Sequence, residues 1–207
     1  MQHSSSKQSK GRPRGFDPEC ALEIALDTFR RKGYEGASVD DLTDAMGISK
    51  PSMYRVFGNK EALFNKAMDL YETDIVSFSV VSLREPTARK VAESFLRGAL
   101  DAQTRTGSKG CLGVLGSMAY SDDAHAVRAN VLARLGAARA ALASRLELAR
   151  QLGDLPGNDP IDGLVSFLYA LVHGMAVQAA AGVDRTALED IIELGLRAWP
   201  ASGIEGA

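Results

Sequence analysis

The 207-residue sequence is poor in cysteine and aromatic residues. It has two cysteines, Cys20 and Cys111, and aromatic side chains make up 6% of its residues. Two cysteines are too few for a disulfide scaffold. No uninterrupted apolar run approaches the roughly 20 residues of a membrane-spanning helix. The polar N-terminal stretch lacks the apolar segment of a secretory signal. These absences predict a cytoplasmic protein.

The sequence also lacks the patterns that mark enzymes and metal sites. The three histidines, His3, His125 and His173, form no metal-type pair with Cys, Asp or Glu. No nucleophile–base motif or phosphate-cradling glycine loop occurs. We therefore expect no enzymatic activity, no metal and no cofactor.

Charge is balanced overall but uneven along the chain. The formal net charge is −2, which argues against a protein that coats nucleic acid non-specifically. The first 16 residues, however, contain four basic side chains and no acidic one. Residues 1–15 are predicted to be a flexible basic arm. The part nearest the first helix, with Arg12 and Arg14, suits either a solvated tail or a contact to DNA phosphates.

Hydrophobic residues recur with the 3.6-residue period of helices, and period-2 alternation is nearly absent. Helix-capping signals divide the chain: Asp17-Pro18, Ser38, Ser49 and Asn59 begin helices, and glycines end the first three. The pattern predicts an all-α fold of about nine helices. Predicted helices span 18–32, 39–46, 50–57, 60–82, 86–104, 109–120, 122–152, 160–181 and 185–199.

Two short predicted helices meet across Gly47-Ile48-Ser49, the arrangement of a helix-turn-helix. Leu42, Ala45 and Met46 are expected to face inward, with Met53 or Val56 closing the core. The second helix would then expose a short polar and basic face suited to a major groove, formed by Lys50, Ser52, Tyr54 and Arg55.

The run from Gly47 to Leu63 resembles the signature of the tetracycline-repressor (TetR) family, and the match is dense over residues 11–70. The resemblance implies an N-terminal helix-turn-helix domain (16–62) and a C-terminal helical domain for ligand binding and dimerisation (63–200). It also implies DNA-binding residues, which are Arg12, Arg14, Thr43, Ser49, Lys50, Ser52, Tyr54, Arg55 and Lys60.

The resemblance also implies what these residues contact. Tyr54 and Lys60 are expected on phosphates, and Thr43 on the DNA backbone. Lys50, Ser52 and Arg55 are candidates for contacts to base edges. Two alternatives stay open: Tyr54 as a core aromatic, and Lys60 on a solvated face.

The two C-terminal helices are apolar enough to form a dimer interface, as the last two helices do in this family. The alternative is a core within one protomer. The candidate interface residues are Leu164, Leu168, Leu171, Met175, Ile191 and Leu194.

The sequence also offers candidates for a ligand site in the C-terminal domain. Its candidate lining residues are Met118, Tyr120, Phe167, Tyr169 and His173, since ligand pockets are mostly apolar with a few polar groups. His173 also suits a buried histidine at the dimer interface. Cys111 suits a structural thiol or a redox sensor.

The sequence therefore favours a repressor that binds a palindromic DNA operator as a homodimer and is released by a small-molecule effector. A helical ligand-binding or scaffolding protein without DNA binding is the alternative. The basic arm and the Tyr54–Lys60 pattern argue against that alternative.

Overall fold

The computed structural model describes residues 16–74, 77–105, 111–117, 121, 124–155, 157 and 159–200. All regular structure in these ranges is helical. The helices are α1 (Pro18–Gly36), α2 (Val39–Met46), α3 (Lys50–Phe57), α4 (Lys60–Asp74), α5 (Phe78–Ser82), α6 (Ala88–Thr104), α7 (Leu112–Ser117), α8 (His125–Gln151), α9 (Ile161–Ala180) and α10 (Arg185–Ala198). The all-α prediction is confirmed.

The first helix follows its sequence signals. Asp17 caps α1 by accepting a hydrogen bond from the Glu19 amide at 3.0 Å, and Pro18 occupies the first turn, where no amide donor is needed. Gly33 interrupts the helix with φ 71°, a conformation that glycine adopts readily. The regular part of α1 therefore ends where the glycine predicts.

An N-terminal core joins α1–α4 to α7 and the beginning of α8. Phe29 of α1 and Phe64 of α4 are fully buried and meet edge to face with ring centroids 5.0 Å apart. The same cluster contains Leu112 of α7 and Val131 of α8. The core of the N-terminal unit thus continues beyond residue 62.

A second core fills the C-terminal bundle. It joins α6, the later turns of α8, α9 and α10, and its fully buried members include Leu96, Leu142, Leu168 and Ile192. Leu135 packs against both cores. The two cores therefore meet at a seam along the middle of α8.

The α5 helix lies very close to α6. A Cβ atom added at Gly98 would lie 2.4 Å from the Phe78 Cβ atom, so only glycine permits this approach. The sequence predicts one helix from residue 60 to about 82. In the described residues α4 ends at Asp74, and Phe78–Ser82 is a separate short helix.

By length and composition alone, α9 is apolar enough to cross a membrane. It nevertheless packs against α6, α8 and α10, and Leu168 and Met175 are fully buried there. A core helix of a folded bundle meets the same criteria.

Candidate nucleic-acid interface

Local hydrogen bonds fix the two helices of the helix-turn-helix. Ser38 and Asp41 form a capping box at the start of α2, with the Asp41 amide donating to Ser38 Oγ at 3.0 Å. A hydrogen bond from Lys32, together with those from Ser38, lowers the pKa of Asp41 well below its usual value. Asp41 thus stays ionised and holds the start of α2.

The turn between the helices depends on Gly47 and Ser49. Gly47 ends α2 in the left-handed conformation with φ 65°, which side chains with a Cβ rarely adopt. Ser49 then caps α3 by accepting from the Ser52 amide at 3.3 Å. Ile48, between them, is half-buried against the N-terminal core.

The inner face of this unit is apolar. Leu42 and Met53 are fully buried, and Met46 and Phe57 nearly so. Ala45, which was expected to face inward, is exposed. The reason is geometric: buried Leu42 and Met46 are one turn apart, and Ala45 lies beside that stripe.

The outer face of α3 has the polar and basic character that the sequence predicts. Lys50 and Arg55 are exposed, and Ser52 is half-buried. The Tyr54 side chain is 50% exposed, so Tyr54 is not a core aromatic. Four side chains that suit DNA contacts therefore lie on the outer face of one helix, and none of them is buried in the core.

Lys50 forms an ion pair across the turn. Its Nζ atom lies 2.5 Å from Asp40 Oδ1, and both side chains remain more than half exposed. The hydrogen bond to Asp40 raises the pKa of Lys50, and the charge of Asp44 adds to this effect. The first cation of α3 is thus held beside a carboxylate at the surface.

Thr43 does not fit its predicted role on the DNA backbone. Its side chain is 4% exposed, and its hydroxyl donates to the carbonyl oxygens of Val39 and Asp40 at 2.9 and 3.2 Å. The hydroxyl bonds within α2 because Thr43 lies one turn after Val39, on the side of the helix that faces the core.

Lys60, at the start of α4, is half-buried. Its Nζ atom lies 4.3 Å from the centroid of the Tyr34 ring. This cation–π contact holds the Lys60 ammonium against α1. The Lys60 side chain is therefore not freely solvated. Arg12 and Arg14 lie outside the described residues.

A cavity of about 340 Å³ lies at the seam between the two cores. Both cores contribute to its wall, chiefly through apolar and aromatic side chains. The lining residues used below are Tyr71 and Glu72 of α4, Cys111, Arg134 and Ala138 of α8, and Tyr169 and His173 of α9.

Tyr169 and His173 lie in the cavity wall, as the ligand-site prediction requires. Phe167 does not line it, because its side chain points toward Gly195 of α10. Met118 and Tyr120 lie outside the described residues. Burial lowers the pKa of His173, and the charge of Arg139 adds to that effect.

The sequence analysis missed the α4 and α8 contributions to this cavity. The Tyr71 hydroxyl lies 3.4 Å from the Cys111 sulfur, and burial raises the pKa of Tyr71 well above its usual value. Arg134 binds Asp69 and Glu72 of α4, both at 2.7 Å. The acidic pair three residues apart on α4 is a sequence signal for such a partner.

Three of the predicted dimer residues lie inside a single protomer. Leu164 is only 9% exposed, and Leu168 and Met175 are fully buried in the C-terminal core, because they lie on the face of α9 that packs against α6 and α10. The prediction that these three form the dimer interface is therefore wrong.

A different stripe of α9 and α10 is open to solvent. Leu171 and Ile191 are half-buried, whereas Val177 and Leu194 are 62% and 60% exposed. Exposed or half-exposed small residues continue the stripe at helical spacing, namely Gly163, Ala170, Gly174, Ala181, Ala187 and Ala198. We call this surface the α9/α10 face.

Comparisons with known proteins agree with this architecture. Residues 21–67 match the family model of bacterial regulatory proteins of the tetR family. The HTH-type transcriptional repressor ComR of Escherichia coli is 28% identical over 197 residues, 94% of both chains. The repressor BdcR of the same organism is 44% identical over 69 residues, which covers 32% of this chain and 35% of BdcR.

Among solved structures, a cysteine mutant of the TetR family transcriptional regulator CifR, in complex with a 26-bp operator duplex, has 35% sequence identity and a TM-score of 0.84. The likeness covers 92% of this chain and all of the CifR chain. The chain belongs to the TetR family and is a DNA-binding transcriptional regulator.

Proposed function

We propose that this regulator is a cytoplasmic repressor that binds a palindromic operator as a homodimer and releases it when a small molecule occupies the seam cavity. The observation that carries the proposal is the exposed polar and basic face of α3. The operator complex of CifR, a relative of nearly the same length, supports DNA as the ligand of that face.

The outer face of α3 divides by chemistry into two kinds of contact. Lys50, Ser52 and Arg55 are the proposed base-edge contacts, with the basic side chains suited to guanine. Tyr54 and Lys60 are the proposed phosphate contacts. Ser49, the N-cap of α3, is proposed to contact phosphate as well. Arg12 and Arg14 would add phosphate contacts from the N-terminal arm, which fix position without reading sequence.

Dimerisation would occur through the α9/α10 face. One helix-turn-helix reads few base pairs, so two copies about 34–36 Å apart are needed to read adjacent major grooves. The exposed Val177 and Leu194 provide apolar area, and small residues between them allow helices of a second copy to approach closely. An apolar stripe of this kind favours a protein partner.

The seam cavity is the proposed effector site. Its wall is mostly apolar with a few directional polar groups, which is typical of small-molecule pockets. We propose that residues 16–74, 111–117 and 124–135 move as one body, since they share a hydrophobic core. An effector held between this body and α6 and α9 would change the distance between the two α3 helices of the dimer.

The cavity is lined in part by α4, the helix that follows α3 of the DNA-binding unit. Tyr71 and Glu72 line the cavity and belong to α4, which begins three residues after α3 ends. The effector must bind the released conformation more tightly than the DNA-bound one, because only differential affinity shifts the equilibrium.

Selection of operators from a random-sequence duplex pool tests the proposal. The full-length protein should select a palindrome whose half-sites are one helical turn apart. Light scattering of the complex should give two protomers, or a multiple of two, for each duplex. Affinity should fall steeply between about 50 and 200 mM salt. A non-palindromic site bound by one protomer would contradict the proposed mode of binding.

A further inference from the structure

The Lys50–Asp40 ion pair lies at the surface that is proposed to enter the major groove. Lys50 is the first residue of α3, and Asp40 is the second residue of α2. The Asp40 side chain is 69% exposed, and the Lys50 side chain is 51% exposed. The pair therefore spans the two helices of the helix-turn-helix and remains accessible from outside.

The ion pair presents a donor and an acceptor side by side. The Lys50 ammonium offers N–H donors, and the Asp40 carboxylate, 2.5 Å away, offers acceptor oxygens. The hydrogen bond to Asp40 raises the pKa of Lys50, so the Lys50 ammonium stays protonated at neutral pH. Neither is a neutral amide or hydroxyl that could exchange donor and acceptor roles.

This pattern complements the major-groove edge of one base pair. Guanine presents O6 and N7 as acceptors, and the cytosine opposite presents the N4 amino group as a donor. O6 and N4 are neighbours because they hydrogen bond to each other. An A·T pair also offers one donor, adenine N6, and two acceptors, adenine N7 and thymine O4, but lysine prefers guanine and aspartate prefers cytosine.

We propose that Asp40 is a specificity-determining residue, and that Lys50 and Asp40 together read one G·C pair in each operator half-site. The Lys50 ammonium donates to guanine O6 or N7, and the Asp40 carboxylate accepts from cytosine N4. The inference rests on the proposed DNA-facing role of Lys50.

The carboxylate has a second effect on binding. On a sequence without a cytosine amino group at this position, Asp40 accepts no hydrogen bond from the DNA, and its charge is near the phosphates, which repel it. Asp40 thereby weakens binding to incorrect sequences more than binding to the operator. Removal of Asp40 should strengthen binding to random DNA while it weakens discrimination.

Operator selection with four proteins tests this inference: the full-length wild type, Asp40→Ala, Lys50→Ala and the control Asp27→Ala. Asp27 is an acidic residue of α1 that pairs with Arg31 of its own helix at 3.0 Å. Its removal changes the net charge of the DNA-binding unit equally. Thermal unfolding of each variant checks that it is folded, and Asp40→Ser provides a second substitution at the exposed site.

The wild-type and Asp27→Ala pools should contain a fixed G·C pair at one position in each half-site. The Asp40→Ala pool should lose that preference. The ratio of operator to random-duplex affinity should fall about tenfold for each half-site, and therefore about a hundredfold for the dimer, because each half-site loses one base preference. The slope of log Kd against log salt should also steepen, by at most about 1.8, since each of the two protomers loses one repelling charge.

Two results would overturn the inference in different ways. If Lys50→Ala weakens operator binding while the Asp40→Ala pool keeps every base preference, Lys50 contacts DNA and the role of Asp40 is wrong. If Lys50→Ala leaves operator affinity and selection unchanged, the DNA-facing role of Lys50 fails, and the inference fails with it.

Discussion

Arg134 of α8 donates a hydrogen bond to Glu72 of α4 at 2.7 Å, in the wall of the seam cavity. A second bond from the same guanidinium reaches Asp69 at 2.7 Å. The helix that follows the DNA-binding unit is therefore tied to the long helix that crosses from one hydrophobic core to the other.

Replacement of Arg134 by methionine should loosen this tie. Methionine keeps an apolar stem but loses both ion pairs, which are partly exposed and contribute about 0.2–1 kcal/mol each. We expect operator affinity to fall by less than about tenfold, without a change in base preference, because the orientation of α4 is less fixed. Fluorescence anisotropy with the selected operator measures the affinity.

Arg97→Met is the matched control, since Arg97 also pairs with two carboxylates, Glu93 and Glu193, but within the C-terminal bundle. If both variants weaken operator binding equally, the effect is not specific to α4. The proposed coupling through Arg134 would then be wrong.

Filling the seam cavity should abolish effector binding. Ala138 lines the cavity, so Ala138→Trp should occupy part of its volume. Small uncharged apolar compounds that stabilise the wild type against heating should fail to stabilise this variant. For a ligand at 100 times its Kd the stabilisation is about 2.7 kcal/mol, which a thermal-shift measurement detects.

Ala133→Trp is the control for this experiment, because Ala133 is exposed on the same helix and is not part of the cavity wall. That variant should still respond to the compounds. Compounds that stabilise all three proteins equally bind elsewhere, and the proposed effector site would be contradicted.

Stability should decrease in mild acid because of His173. Burial lowers the pKa of His173 below its ordinary value of 6.5, so the unfolded chain takes up a proton before the folded one does. The free energy of unfolding should therefore fall as the pH drops below about 6.5, and the loss should level off below the folded-state pKa.

Chemical denaturation at a series of pH values tests this prediction. His173→Gln should flatten the dependence in that window, while His125→Gln, which replaces an exposed histidine, should leave it unchanged. An identical pH profile for His173→Gln and the wild type would show that His173 does not contribute.

The α9/α10 face can be tested by introducing charge. A double variant, Val177→Glu with Leu194→Glu, should turn the proposed dimer into monomers because it buries four carboxylates at a two-fold interface. Light scattering gives the mass, and operator affinity should fall with it. Leu152→Glu, at a side chain that is 71% exposed near the end of α8, should keep the mass of the wild type.

Much of the N-terminal unit could be predicted from the sequence, because its determinants are local. Capping residues and glycines fix α2 and α3 to the residue, and Gly47 requires a conformation that few other residues adopt. The burial of Thr43 could not be predicted in this way. The sequence does not show whether a threonine hydroxyl binds DNA or donates to a carbonyl oxygen of its own helix.

The C-terminal bundle was predictable only as helices. In α9 almost every face is apolar, so periodicity does not distinguish Leu168, which packs within the protomer, from Val177, which is exposed. The cavity likewise depends on tertiary contacts, such as that between Tyr71 and Cys111, which are 40 residues apart. Contacts between helices that are distant in the sequence determine which of these side chains are buried, exposed or part of the cavity wall.

Arg55→Ala provides the most direct test of the outer face of α3 as the surface that reads DNA. The ratio of affinities for the selected operator and for a random duplex is measured for the wild type, for this variant and for Arg31→Ala, an exposed arginine of α1. The account predicts that Arg55→Ala lowers the ratio by about tenfold or more, while Arg31→Ala leaves it unchanged. An unchanged ratio for Arg55→Ala would contradict the account.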